Sequence, residues 1–463
     1  MSSSKQDQSI FDTLAARLDK DPGTPVNDPT ESFWQVPRLP IADARSEQLP
    51  EVADVVVIGS GITGISTSLH LLRQDHSLKI VMLEARSAIS GATGRNGGHI
   101  KAVPWADYYA LKEEFGKESA MKITKFRLSH LDALVGEADA LGEAGKVGLV
   151  RRVEGVSGVY DEEGWKLAKV KLQSFLEDFP EERGRWTICE DQAELNQLGL
   201  ANAYGFIPRN ANSWAGGSLH SVYKSPVRSA YVERADIYQA RYPLHQRIHC
   251  TLAAGLEREM WPLRGQMTVQ SVPEAFPRVG GTRSWSAIWA RGFDYITQSP
   301  AEDGSLYLGG GFLQGGLEKD QDLGSTDDST LSAQCLEHLE AVPSKAFVHG
   351  TGAKVEKKWT GIMGFTGDGL PMVDRVRSHV SGREECEPNV GGEWIAAGWD
   401  GYGMVHCWLA GKALAAMVTG HEDEVRDWFP KDEFACSKER LDKMSAEGAL
   451  ERFFGSLTSE NKR

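Results

Sequence analysis

No stretch of this sequence approaches the ~18 consecutive apolar residues that a membrane span needs. The opening MSSSKQDQSIFDTL lacks the apolar core of a secretory signal, and the last residues, Ser459 to Arg463, are not the S-K-L peroxisomal address. Cysteine is sparse and scattered. Cys189, Cys250, Cys335, Cys386, Cys407 and Cys436 form no C-x-x-C pair and no Cys/His ligand spacing, so free thiols and no metal are expected. Basic charge is also short: Lys+Arg 51 against Asp+Glu 65 gives a net charge of -14. Such a surface repels phosphate backbones, which excludes nucleic acid as a partner. It suits cationic amines, but such acidity more often serves solubility alone. Internal repeats and low-complexity tracts are missing too. With 41% hydrophobic and 25% charged residues, the expectation is a cytoplasmic globular protein with an ordinary core and no membrane partner.

Residues 1–51 are polar and rich in proline, which reads as an extension lying on the first domain. The apolar run Val55–Ile58 then predicts a buried parallel strand, Gly61–Arg73 a helix with Ile62, Ile65, Leu69 and Leu72 on one side, and Lys79–Leu83 a second strand. This is β–α–β in about thirty residues. Helical spacing returns over Ser119–Glu143, Asp328–Val342 and Gly403–Val418, and Trp394–Ala397 reads as a strand. Residues 148–160 and 265–312 read as strands and turns, several alternating as in a sheet with one wet face. The fold class is therefore α/β, turning α+β in the second half: a Rossmann-type nucleotide-binding domain with an interposed mixed-sheet domain. The boundaries are placed at 52–150 for the first part of the nucleotide domain, 151–350 for the interposed domain, 351–420 for the return, and 421–463 for a helical tail.

Asp54-Val-Val-Val-Ile58 leads straight into Gly59-Ser60-Gly61-Ile62-Thr63-Gly64. The first glycine makes the tight turn, the second lets backbone approach a pyrophosphate, and the third lets helix pack on strand. Alone, such a glycine triplet is a weak signal. Here it sits between a strand and a helix, and Glu84 follows Gly64 at the spacing of the acid that bonds a ribose hydroxyl. The motif predicts dinucleotide binding without choosing between NAD and FAD. Ser90-Gly-Ala-Thr-Gly-Arg-Asn-Gly-Gly-His99 holds four glycines and no large apolar side chain. That suits either close backbone approach to a flat ring or a plain surface loop.

Four stretches carry a resemblance to the D-amino-acid oxidase clan, nearest its fungal gamma-glutamylputrescine oxidase-like and glycine/sarcosine oxidase-like members. They are VVVIGSGITG (55–64) with LEAR (83–86); SGATGRNGGH (90–99); WPLRGQM (261–267) with DYITQ (294–298) and LYLGGG (306–311); and KWTGIMGFTGDGLPMVD (358–374) with WIAAGWDGYGMVHCWLAGKALA (394–415). The resemblance implies FAD and removal of hydride from a small amine or amino acid, with oxygen reduced to hydrogen peroxide and an imine released. It implies FAD contacts from Gly59, Ser60, Gly61, Ile62, Thr63 and Gly64, and from Glu84, Ala85 and Arg86. Ala92, Thr93, Gly94, Arg95, Asn96, Gly97 and Gly98 would run beneath the ring. Gly398, Asp400, Gly401, Tyr402, Gly403 and Met404 would form a helix start facing its anionic edge. Tyr295 and Tyr402 stand as catalytic candidates near the substrate, each equally readable as a core aromatic. Arg264 is a candidate carboxylate clamp, or a structural arginine.

Two departures matter. Some relatives tether flavin through a cysteine whose place falls on Gly361 here, so FAD is expected to bind non-covalently. Set against the resemblance, the region 212–260 is also short, Pro226 breaks its helical pattern, and His249-Cys250-Thr251 would be what remains of a strand returning to the nucleotide domain. That shortening keeps a catalytically inactive flavin-binding relative open beside the oxidase. An FAD dehydrogenase serving another acceptor is the third reading.

Overall fold

The computed structural model describes residues 5–18, 20, 23, 25–38, 40–43, 46, 48–146, 148–208, 216–218, 236–239, 256, 259–312, 314, 321–384 and 391–455. Strand β1 (Val55–Ile58) lies parallel to β2 (Ile80–Glu84), with helix α2 (Ile62–Gln74) between them in sequence. A third strand, β7 (Asp236–Gln239), adds to β2 in parallel. Among the described residues β1 ends this sheet, and Val56 on it is 53% exposed. The expected return strand at His249–Thr251 lies outside the described residues.

A second, larger sheet runs in the order β12 (Lys354–Thr366), β8 (Met260–Ser271), β11 (Leu306–Gly310), β10 (Phe293–Gln298), β9 (Arg283–Ile288), β4 (Arg151–Val159), β6 (Gly216–Ser218) and β3 (His99–Ile100). Strand β5 (Gly205–Pro208) pairs with β4 off this path. The sheet is antiparallel except where β4 and β9 run parallel. The alternation read as one wet face does not hold: β4 and β8 are buried on both faces along most of their length. Helix α5 (Ala333–Ala346) lies on β8 and β11 and puts Leu339 and Val342 into a core with Phe206, Trp285 and Ile296. Burying each such side chain stabilises the fold by about 1.5–3 kcal/mol.

Helix α3 (Pro104–Ala140) begins fifteen residues before the helical spacing becomes readable, and Gly116 (φ 81°) kinks it. Helix α4 (Glu162–Asp178), capped by the Asp161 carboxylate on the Gly164 N–H, packs against it. The hairpin of β13 (Met372–Arg375) and β14 (Trp394–Ala397) leads to helix α6 (Cys407–Val418), preceded by a 3-10 turn at Gly403–Val405. Helices α6 and α2 cross with almost no gap. A Cβ on Gly411 would lie 2.7 Å from Ser66 Cβ, and the Ser66 hydroxyl donates to Trp408 O at 2.6 Å. At the chain ends, α1 (Lys5–Leu18) packs Leu14 and Leu18 with Ala449 and Leu450 of α7 (Ala446–Gly455) over Trp261 and Leu263. No helix among the described residues is long and apolar enough to cross a membrane.

His130 sits buried in α3, with Nδ1 2.8 Å from Phe126 O and Nε2 accepting the Leu409 N–H at 3.3 Å. Burial pushes its pKa down from 6.5 to about 4. The neutral ring is thus favoured in the fold, so its stabilisation is complete above pH 6.5 and is lost as pH falls towards 4. Thermal unfolding is expected to shift down across that window by up to about 1.4 kcal/mol per pH unit from this group. A His130→Asn variant should show the shallower slope; an unchanged slope would refute the assignment.

Candidate active site

The end of β1 turns at Gly59 (φ 100°), whose N–H bonds Leu83 O at 2.7 Å. Gly61 caps α2 without a side chain, and the Thr93 hydroxyl oxygen takes the Ile62 N–H at 3.1 Å. Gly64 has no room for a side chain: a Cβ there would lie 2.1 Å from Gly59 O. The result is a fixed loop opening at the positive end of a helix, which is what a diphosphate requires. Glu84, at the end of β2, is buried and held at both oxygens. The Ser60 N–H donates to Oε2 at 3.0 Å, its hydroxyl donates to the same atom at 2.5 Å, and the Arg86 N–H reaches Oε1 at 3.1 Å. Oε1, with a single donor, keeps lone-pair capacity for a ribose hydroxyl.

The glycine segment 90–99 is clamped from three directions. Three successive carbonyls are taken: Arg95 O by Trp359 Nε1 at 2.8 Å, Asn96 O by Trp34 Nε1 at 2.6 Å, and Gly97 O by the Thr297 hydroxyl at 2.9 Å. The Arg95 side chain folds back, donating to Ser90 O at 2.8 Å and Thr360 O at 2.7 Å, with Nε 3.7 Å from Asp328. Arg86 grips the same Asp328 in a fork of 3.0–3.1 Å. Thr30, on the N-terminal arm, closes the knot through its N–H and hydroxyl, both donating to Asp328 O.

Strand register lines up the floor. Ser157 pairs with Ser286, Ser286 with Tyr295, Tyr295 with Gly309, Gly309 with Met267, and Met267 with Trp359. Directly opposed residues share a face, so these six form one row across the sheet. The Tyr295 ring is wedged between backbones: a Cβ on Gly97 would meet it at 2.5 Å and one on Gly309 at 2.2 Å. Its hydroxyl meets Met267 Sδ at 3.2 Å, and burial raises its pKa. At the other end of the row, Lys101 Nζ lies 3.1 Å from Ser286 Oγ and 3.4 Å from Ser157 Oγ.

The opposite wall is the turn 398–404. Gly398 (φ 73°) and Gly401 (φ 77°) flank Asp400 (φ 49°), whose carboxylate accepts the Thr366 N–H at 3.2 Å and its hydroxyl at 2.9 Å. The Tyr402 hydroxyl donates to Asp107 at 2.8 Å, and the Arg127 guanidinium stacks on the Tyr402 ring at 4.7 Å. Arg127 Nε donates to His406 Nε2 at 3.1 Å. The His406 proton therefore sits on Nδ1, facing Tyr402 O at 3.0 Å. Burial raises the pKa values of Asp107 and Tyr402 and lowers that of His406.

The loop, the glycine segment, the sheet row and this turn surround one cavity of about 2020 Å³, well above the 300–1,000 Å³ or so usual for a single small ligand. Of the residues singled out in the sequence, Gly59, Gly61, Ile62, Thr63, Gly64, Glu84, Ala85, Arg86, Ala92, Thr93, Arg95, Asn96, Gly97 and Gly98 line it. So do Gly398, Asp400, Gly401, Tyr402, Gly403, Met404, Tyr295 and Arg264. Ser60 and Gly94 stand behind the wall. Ser60 serves Glu84, and a Cβ on Gly94 would meet Ile89 O at 2.3 Å. Arg264 turns its fork to Asp322 at 2.7 Å, Asp327 O at 3.1 Å and Gln321 O at 3.3 Å, the geometry of the structural alternative. Sequence reasoning passed over Asp328, Trp34, Lys101, Asp107 and Arg127. Asp107, in the first turn of a helix opened by Pro104, carried the one local signal available.

A glycine-cradled nucleotide helix and a mixed-sheet floor sharing one cavity define a flavin-dependent oxidoreductase. Residues 54–183 and 243–417 match the family described as FAD dependent oxidoreductase, and the chain belongs to it. Over 67 residues it is 37% identical to the gamma-glutamylputrescine oxidoreductase of Escherichia coli K12, a match spanning 14% of this chain and only 15% of that one. Glycine oxidase from Geobacillus kaustophilus superposes with a TM-score of 0.60 at 15% identity, covering 83% of this chain and 98% of that one. Iminodiacetate oxidase from Chelativorans sp. BNC1 gives 0.58 at 16%, covering 79% and 95%. At those identities the likeness is one of fold.

Proposed function

We propose that this chain oxidises the carbon–nitrogen bond of a small amine or amino acid, holding FAD without a covalent tether and passing the electrons to oxygen. FAD, when bound, supplies the acceptor for a hydride leaving the carbon beside nitrogen; oxygen is then reduced to hydrogen peroxide, and the imine hydrolyses in water. The chain's own work is positioning and water exclusion. The 59–64 loop would hold the pyrophosphate and Glu84 a ribose hydroxyl, while backbone at 92–98 supports the ring and the 398–404 turn meets its polar edge. Tyr295 and Tyr402 would bound the substrate space, and Arg264 would brace β8. Gly361, with no sulfur to offer, supports non-covalent binding. The observation that carries this reading is the single cavity joining the dinucleotide loop to the sheet row through Tyr295. The names of the relatives, all acting on amino compounds, favour the substrate class.

The test is the visible spectrum of the purified protein before and after acid precipitation, followed by an amine and amino-acid panel read by peroxide release. Yellow supernatant and peroxide are the expected results. Flavin that amines reduce but air reoxidises slowly would favour the dehydrogenase instead. A bound flavin that no amine reduces would sink the reading.

A further inference from the structure

Methionine is concentrated around the cavity. Five of the chain's ten methionines line it: Met260, Met267, Met363, Met404 and Met417. Two of these sit where its walls meet. On β12, Trp359, Gly361 and Met363 alternate onto one face, opposite Met267, Gly265 and Leu263 of β8. That face looks towards the glycine segment: the Trp359 indole holds Arg95 O, and a Cβ on Gly361 would lie 3.1 Å from Arg95 Cβ. Met363 covers the paired glycines. A Cβ on Gly265 would lie 3.0 Å from its Cε, and one on Gly401 4.0 Å from its sulfur. It therefore joins the sheet floor to the turn 398–404. Met404 joins that turn to the glycine segment, its sulfur accepting from the Asn96 amide at 3.9 Å. Both side chains are half-buried. The other three are better covered or turned away. Met267 is 2% and Met417 4% exposed, and Met260 lies on the opposite face of β8.

We propose that Met363 and Met404 are modification sites for hydrogen peroxide, and that their oxidation releases the flavin, so that the protein's own product limits its working life. The source of the peroxide rests on the oxidase reading above; the two sites do not. At each sulfur the O–O bond of peroxide breaks, one oxygen bonds to sulfur, and the other leaves as water. Sulfur gives up two electrons and peroxide takes them. The product is a sulfoxide, polar and chiral where a flexible apolar chain stood before. On Met404 its oxygen competes for the Asn96 amide, which now holds Thr93 O at 2.9 Å and so braces the glycine segment from within. On Met363 it adds an atom, and an acceptor needing a donor, at the close-packed glycine pair.

Flavin-loaded protein would be held in dilute hydrogen peroxide, with bound flavin followed by absorbance and each methionine by peptide mass. Met363 and Met404 should gain one oxygen each ahead of Met82, Met267 and Met372, none of which is more than 2% exposed. Flavin should leave in step with them, its dissociation constant rising roughly tenfold or more. The Met363→Leu, Met404→Leu double variant, compared with its own untreated sample, should keep its flavin through the same exposure. Oxidation of the pair no faster than of Met82 would overturn the inference, as would flavin loss from the double variant at the wild-type rate. If the double variant holds no flavin at the outset, Met363→Leu and Met404→Leu are read singly, each expected to slow the loss. A second arm supplies peroxide from within, by amine turnover with catalase in the medium to clear what escapes. Met363 and Met404 should then be oxidised ahead of Met121 and Met444, which are also half-buried but lie off the cavity. Equal oxidation of all four would overturn self-modification. Sulfoxides that form as expected in added peroxide, in a protein that releases none with any amine, would leave the two sites standing and remove the oxidase reading. Peroxide release with no sulfoxide at either residue in either arm would do the reverse.

Discussion

Replacing Asp328 with asparagine is expected to destabilise the protein by about 3–5 kcal/mol and to release its flavin. Asp328 is 1% exposed and stands between two guanidinium groups, Arg86 in a fork and Arg95 at 3.7 Å. Arg95 is itself buried, which pulls it down to about 10 even with Asp328 beside it. An amide keeps the shape and removes the charge, leaving two cations facing each other in a dry place. The damage then reaches the site by two short routes. Arg86 begins the turn whose N–H fixes Glu84, and Arg95 heads the three carbonyls pinned over the sheet. Differential scanning with the ratio of flavin to protein absorbance measures both effects. A variant that melts like wild type and stays fully yellow would contradict this account of the knot.

Gly64→Ala should cost FAD affinity, and should cost the fold less than Asp328→Asn does. The added carbon would lie 2.1 Å from Gly59 O and 3.2 Å from Val57 Cγ1, and the first of these is backbone that no rotamer change can clear. Overpacking of this kind costs about 1–3 kcal/mol. Helix α2 must lift from β1, and the loop between them opens. Reconstitution of stripped protein with FAD, followed by fluorescence quenching, should give a dissociation constant raised by roughly 5- to 150-fold. Gly136→Ala, on an exposed position of α3 where an added Cβ meets nothing within 4 Å, is the control and should bind as wild type. Equal affinities for the two variants would show that the close packing is not what shapes the loop.

The parts of this molecule legible in its sequence are those whose physics is local. The β1–α2–β2 unit announced itself because hydrophobic period changed twice within thirty residues around a fixed glycine spacing. Helix α3 was read late because Gly116 interrupts its pattern, and β4 and β8 misled because both faces are covered. What stayed hidden depends on partners far along the chain. Asp328 meets Arg86 across 242 residues, and Thr30 meets Thr360 across 330. No window of sequence contains either pair. Lys101 looks like any solvated lysine until the register of β4 against β9 sets Ser157 beside Ser286 beneath it. Arg264 was legible as important and not as to which use, because an arginine fork offers the same donors to an aspartate of its own chain as to a ligand.

The N-terminal arm has a consequence for biosynthesis. Thr30 leaves the ribosome 298 residues ahead of Asp328 and 330 ahead of Thr360, and Trp34 leaves well ahead of Tyr307, whose ring lies 4.4 Å from it. The arm therefore finds its place only after those partners have been made. Of the three clamps on the glycine segment, Trp34 is made before it, whereas Thr297 and Trp359 follow 200 and 264 residues later, at roughly 5–20 residues per second. A nascent chain that has made only its nucleotide loop thus lacks two of the three clamps over the ring. Flavin loading is then expected to wait for the strands that carry Thr297 and Trp359.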